Sequence, residues 1–101
     1  MTSRGTWKNL ERETARLLHG VRILRSGNAG IKGDVLHSRF FIDCKYSSKK
    51  SLRLEEILRK AEEQSASKVP LVVSDTKNNH KGAIVSLRLL DFVNVIDVAF
   101  R

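Results

Sequence analysis

Apolar positions first recur at helical spacing in Trp7, Leu10, Thr14, Leu17 and Leu18, which predicts a helix from about Thr6 to His19 with one face turned to a core. Gly20 follows its last turn, where a left-handed C-cap is expected. Glu11 falls four residues after Trp7 and three before Thr14, at the edge of the apolar stripe, so it points toward the core; Glu13 points outward among Arg12 and Arg16. Val21 to Leu24 reads as a short strand, and the stretch from Arg25 to Gly33 as a loop with glycines at 27, 30 and 33. The period then changes to two. Residues 40 to 46 are aromatic and β-branched and read as a buried strand with Phe41, Asp43 and Lys45 on one face and Phe40, Ile42, Cys44 and Tyr46 on the other. With Ser38 and Arg39 at the tip of a hairpin, 35 pairs with 42 and 34 with 43, which sets Asp34 opposite Asp43 with Cβ atoms about 5 Å apart.

After a polar connector from Ser47 to Ser51, with Ser51 as the expected N-cap, Leu54, Ile57, Leu58 and Ala61 predict an amphipathic helix to about Ser67. Glu55 and Glu56 sit in its early turns, where the helix dipole favours them, and Gln64 continues its inner stripe. Pro70 introduces a short buried strand, Leu71 to Ser74; Asp75 to Gly82 is turn-rich, and Ala83 to Arg88 is the returning strand of a hairpin. For Leu89 to Ile96, periodicity leaves helix and strand open. The run Leu89, Leu90, Phe92, Val93, Val95, Ile96, Val98 and Phe100 exceeds what one short element should bury, so part of it is expected in a symmetric dimer interface. The order helix, strand, hairpin, helix, strand, strand describes one α/β domain over residues 1–101, a mixed central β-sheet flanked by helices.

Charge narrows the partner. The net charge of +8 lies entirely in residues 1 to 54, which hold twelve Lys and Arg against four acids; the remainder is balanced. A basic surface of this kind favours polyanions, nucleic acid first among them. No apolar run approaches the roughly 18 residues needed to span a bilayer, and nothing after Met1 resembles a signal peptide, so no membrane partner is expected. The lone Cys44 cannot form an internal disulfide, which fits a reducing, cytoplasmic location and a packing role. His19, His37 and His80 are too far apart in sequence to suggest a metal site and read as surface or turn residues. The glycine loop is not a Walker-type phosphate loop, because no glycine in it is followed by Lys and then Ser or Thr; its glycines do permit close approach to a sugar-phosphate. Two facing aspartates weaken a sheet unless a cation sits between them, and here they stand within the basic half beside Lys45. Taken singly, Asp43 and Lys45 could equally be an edge-strand ion pair and Asp34 a turn residue.

Glu11 within Leu10-Glu11-Arg12-Glu13, Ser26-Gly27, Gly33-Asp34 and Asp43-Cys44-Lys45 together resemble the PD-(D/E)XK nuclease superfamily, and within it the small Holliday junction resolvases of archaea, their viruses and phages. The likeness runs in element order from residue 5 to about residue 90. Gly33 stands where that family has proline, and Asp43 where glutamate is more usual. The resemblance implies a restriction-endonuclease-like core and a metal-dependent, structure-selective DNA endonuclease that makes paired nicks in four-way junctions as a homodimer, in the cytoplasm or, if viral or phage-encoded, in that of the host. It implies Mg²⁺, for which Mn²⁺ can substitute, held by Asp34, Asp43, the backbone carbonyl of Cys44 and Glu11. Lys45 would orient or deprotonate the attacking water, and Ser26 would contact the phosphate or scissile strand. Arg4, Lys8, Arg25, Asn28, Lys32, Lys49 and Lys50 are the expected DNA-binding residues. The alternatives are another nuclease of the same superfamily, restriction-like or acting in repair, and a non-catalytic basic DNA-binding module whose acids are structural.

Overall fold

The apolar side chains collect in two layers, one on each face of a single sheet. The computed structural model describes residues 6–24, 32–47, 53–76 and 82–100. In chain order the elements are α1 (Thr6–Leu18), β1 (Val21–Arg22), β2 (Val35–Leu36), β3 (Phe40–Ser47), α2 (Leu54–Gln64), β4 (Val69–Thr76), β5 (Ile84–Ser86) and α3 (Leu89–Ala99). The strands described form a five-stranded mixed sheet in the order β1-β2-β3-β4-β5, antiparallel except for the central β3–β4 pair. The α/β class and the mixed sheet flanked by helices are therefore present. No helix of the described residues is long and apolar enough to cross a membrane.

Strand alternation assigns the layers. Ile42 pairs with Leu71 and Cys44 with Val73, and these side chains meet Leu10 and Ala15 of α1 together with Val35. Phe41 and Val72 point to the opposite face, where α2 lies across β3 and β4 and buries Leu58 and Ala61. Ile42 and Val72 are fully buried, one at the centre of each layer. Pro70 is tolerated in this central strand because Val69 N–H donates to Arg39 O at 2.9 Å. By alternation the Pro70 nitrogen faces the other way, past the end of β5, whose pairs with β4 begin at Val72↔Ser86.

Several expectations need correction. The buried stripe of α1 is Leu10, Glu11, Thr14 and Ala15, rotated from the predicted one; Trp7 and Leu17 are more than half exposed. Helix α2 begins at Leu54 with Arg53 at its N-cap, not at Ser51, and it ends at Gln64, which is exposed and not part of the inner stripe. Strand β4 continues through Asp75, which is buried and not a turn residue. The C-terminal stretch that periodicity left open is the helix α3.

The end of α1 differs from expectation for a definable reason. His19 holds the left-handed conformation (φ 59°), and Gly20 N–H donates to Ala15 O at 2.8 Å, which is the six-to-one bond of a Schellman motif with His19 at C′. Gly20 is needed for space instead: a Cβ there would lie 2.7 Å from both the Leu36 carbonyl oxygen and Val35 Cγ1. His19→Gly should therefore stabilise the fold by about 1 kcal/mol. Gly20→Ala should destabilise it by about 1–3 kcal/mol as β2 is pushed away. Urea denaturation of both variants checks the opposite signs.

Candidate active site

The candidate site lies where β2 begins against β3. Val35 pairs with Ile42 as expected, but the ladder does not continue to 34 and 43. Gly33 turns the chain with φ 88°, and Asp34 N–H donates to Ile42 O at 2.9 Å while Asp34 O accepts the Ile23 N–H at 3.0 Å. The Asp34 side chain then does what the next ladder residue would have done: its Oδ2 accepts the Cys44 N–H at 2.7 Å. Asp34 is thus fixed to β3 through both backbone and carboxylate, and it still reaches Asp43.

Asp43 projects from the α2 face of β3 with its side chain 22 % exposed. Burial pushes its carboxyl up to about 6; a hydrogen bond shared with Asp34 and the negative charge of Asp34 add to the rise, and the attraction of Lys45 opposes it. Lys45, two residues on and on the same face, brings Nζ to 3.3 Å from Asp43 Oδ2. The three residues singled out in the sequence therefore form one cluster: two carboxylates sharing a hydrogen bond, with a half-exposed ammonium beside them.

Glu11 approaches from the other side. Helix α1 covers the face that carries the Cys44 side chain, and Glu11 is buried there at 7 % exposure. Its Oε1 accepts the Arg22 Nε–H at 2.8 Å, a pair largely shielded from water. Arg22 has a readable signal in hindsight, as the one charge in the stretch Val21-Arg22-Ile23 that holds β1, against which the glutamate-bearing helix packs. Burial pushes the Cys44 thiol up to about 12; a hydrogen bond with Thr14 opposes the shift, and the charges of Asp34, Glu11 and Asp43 reinforce it. The thiol stays protonated, in keeping with a packing role. All three proposed carboxylates are thus felt at Cys44, two from one side of β3 and one from the other.

Among the described residues no group of three or more His, Cys, Asp and Glu side chains comes close enough together to hold a metal ion. The donors that fit a hard cation are the Asp34–Asp43 pair, where two half-buried like charges meet; further oxygens would have to come from the Cys44 carbonyl, water or a phosphate. Of the DNA-binding candidates, Lys8 is exposed with Nζ 5.4 Å from the Trp7 ring, and Lys32 is exposed beside Gly33. Arg4, Arg25, Ser26, Asn28, Lys49 and Lys50 lie outside the described residues, as does His80. His19 is exposed, and His37 holds the β2–β3 turn by accepting the Arg39 N–H at 3.0 Å through Nδ1. Ser74, which the sequence reading left out, pairs with Lys45 across β3–β4 and is buried on the same face.

Comparison of the chain with known protein families, with curated proteins and with solved structures returns no match.

Proposed function

We propose that this protein is a metal-dependent DNA endonuclease of the PD-(D/E)XK type, acting as a homodimer on branched DNA with four-way junctions as the preferred substrate. The observation that carries the reading is the meeting of Asp34 and Asp43 beside Lys45, from a turn and a strand of a chain whose net charge is +8. A sheet alone gains nothing by placing two half-buried carboxylates together; a site for a cation does. The mixed sheet with helices on both faces is compatible with a restriction-endonuclease-like core.

Asp34, Asp43 and the Cys44 carbonyl would hold Mg²⁺ or Mn²⁺, with Glu11 held by Arg22 in a supporting position on the α1 face. When bound, the ion neutralises charge on the phosphate and lowers the pKa of a water. Lys45 stands at the mouth of the cluster, half exposed, where it can orient that water or accept its proton. The basic first half of the chain draws the polyanion to the site. Two symmetric nicks require two such sites, and one chain supplies one.

The test is cleavage of labelled four-way junction, flap and linear duplex with and without Mg²⁺. Paired, Mg²⁺-dependent nicks in the junction at a rate at least tenfold above duplex are expected. Equal cutting of all three would assign a restriction-like or repair nuclease; binding without cutting would leave a DNA-binding module, the reading favoured by the pairing of both Glu11 and Asp43 with cations of the chain itself.

A further inference from the structure

The two acids of the candidate site are not equally well held. Asp43 belongs to β3, an eight-residue strand paired with β4 along its whole length. Asp34 precedes a strand of two residues and follows Gly33, where the chain turns with φ 88°. Carboxylates that meet repel each other when both are ionised, so the less anchored one must be kept in place. Asp34 is held from two sides. On the inner side its N–H donates to Ile42 O at 2.9 Å and its Oδ2 accepts the Cys44 N–H at 2.7 Å. On the outer side its carbonyl oxygen accepts the Ile23 N–H at 3.0 Å.

That outer support is itself slight. Strand β1 has two residues, lies at the edge of the sheet and meets β2 in two pairs. Its ties to the body of the fold are the buried Ile23 just past its end and Arg22, whose Nε–H donates to Glu11 Oε1 at 2.8 Å. The side chains of this ion pair are 19 and 10 % exposed, and Glu11 follows Leu10, a fully buried core residue. A charge-assisted hydrogen bond has a direction that an apolar contact lacks, so the pair fixes where β1 lies as well as covering it. Arg22 stands opposite Val35, one residue from the bond between Ile23 and Asp34, so the point held is next to the point that matters. Glu11 has no such nearness to Asp43. Cys44 packs on the α1 face of β3, and alternation puts Asp43 on the other.

We propose that Arg22, paired with Glu11, is a positioning residue of the site: it anchors β1 so that the Ile23 amide holds Asp34 with its carboxylate on the Cys44 amide and toward Asp43. Glu11 then serves the site through Arg22 and not as a ligand. That the positioned carboxylate helps to hold a metal ion rests on the proposed function; the anchoring itself is measured without metal or DNA, so the two can fail separately.

The experiment compares the full wild-type chain with Glu11→Leu/Arg22→Leu, made as a pair because Arg22→Leu alone would leave a buried carboxylate without its cation. Glu11→Gln/Arg22→Met serves if circular dichroism of the first variant is not native. Amide hydrogen exchange followed by NMR, without metal or DNA, should show Ile23 and Cys44 exchanging about tenfold faster or more in the variant. The amide of Val72, which is fully buried, should keep its rate. Mn²⁺, added without DNA, should bind the variant about 10–100-fold more weakly, the range for groups that orient metal ligands from outside. Unchanged exchange at both amides overturns the proposal, and if Mn²⁺ affinity falls all the same, Glu11 is a ligand. Faster exchange with Mn²⁺ held as in the wild type also overturns it and makes the pair a support of the fold alone; so does faster exchange at Ile23 without Cys44. A wild type that binds no Mn²⁺ removes the metal from the proposed function, and the Cys44 amide then decides the positioning by itself.

Discussion

Asp43→Asn is expected to give a protein that cuts no DNA and melts at a higher temperature than the wild type at pH 8. The two effects share one cause. Burial beside Asp34 pushes the Asp43 carboxyl up to about 6 in the folded chain, against an unfolded value of about 4. Between those values the folded state binds more protons than the unfolded one. Stability therefore falls as pH rises through that window, and the deficit is complete above about pH 7. A shift of about two units corresponds to at most roughly 3 kcal/mol, reduced by the solvent that still reaches the side chain. Asparagine removes the charge and nearly keeps the shape, so the variant should gain up to about 10 °C in Tm at pH 8 and nothing at pH 4. Mg²⁺ should raise the Tm of the wild type, because it binds only the folded state, and raise that of the variant less. Metal-free junction binding should be as tight as wild type or tighter, since the field at the DNA becomes more positive. Asp34→Asn should also abolish cutting but without the gain in stability, because it weakens the charge-assisted acceptor for the Cys44 N–H. Thermal melts at pH 4, 6 and 8 with and without Mg²⁺, beside junction cleavage and binding in chelator, read every arm. Wild-type protein with neither Mg²⁺-dependent nicking nor a Mg²⁺ shift in melting would falsify the catalytic assignment and leave only the basic patch.

What could be read in the sequence was whatever depends on period and local direction. The alternation of residues 40 to 46 placed Asp43 with Lys45 and Ile42 with Cys44, and the sheet has them so. The hairpin register was right at Val35↔Ile42, and the inward turn of Glu11 was readable from its angle on the helix. What could not be read depends on contacts far apart in sequence. Gly20 looked like a cap because it follows a helix; only the approach of the Leu36 carbonyl shows that it supplies room, and that His19 bears the left-handed turn. Asp34 leaves the ladder because Gly33 turns, so its carboxylate meets Asp43 by way of the Cys44 amide and not as a cross-strand pair. Glu11 reaches the sheet on the face opposite Asp43, and its Arg22 partner comes from a strand whose pairing no local signal fixed.

Lys45→Ala is expected to lower junction cleavage at pH 7 to 8 by about 10²–10⁴-fold while leaving its Mg²⁺ dependence in place. The proposed ligands, Asp34, Asp43 and the Cys44 carbonyl, are untouched by the change, so metal requirement and metal-free DNA binding should move little. The ammonium also acts on Asp43, where its attraction holds the carboxyl down against burial and Asp34. Without it Asp43 takes up its proton at higher pH, and the acid limb of the pH–rate profile should shift upward. The shift of the limb reads the charge of Lys45 acting on Asp43, and the loss of rate at pH 8, above the limb, reads its part in the reaction. Lys45 is half exposed and its partner lies 3.3 Å away, so the truncation leaves no cavity and the fold should hold. Cleavage measured from pH 5 to 9 at saturating Mg²⁺ checks both the size of the loss and the direction of the shift. Wild-type rates across that range would make Lys45 a surface residue, and the proposed catalytic set of Asp34, Asp43 and Lys45 would lose one of its three members.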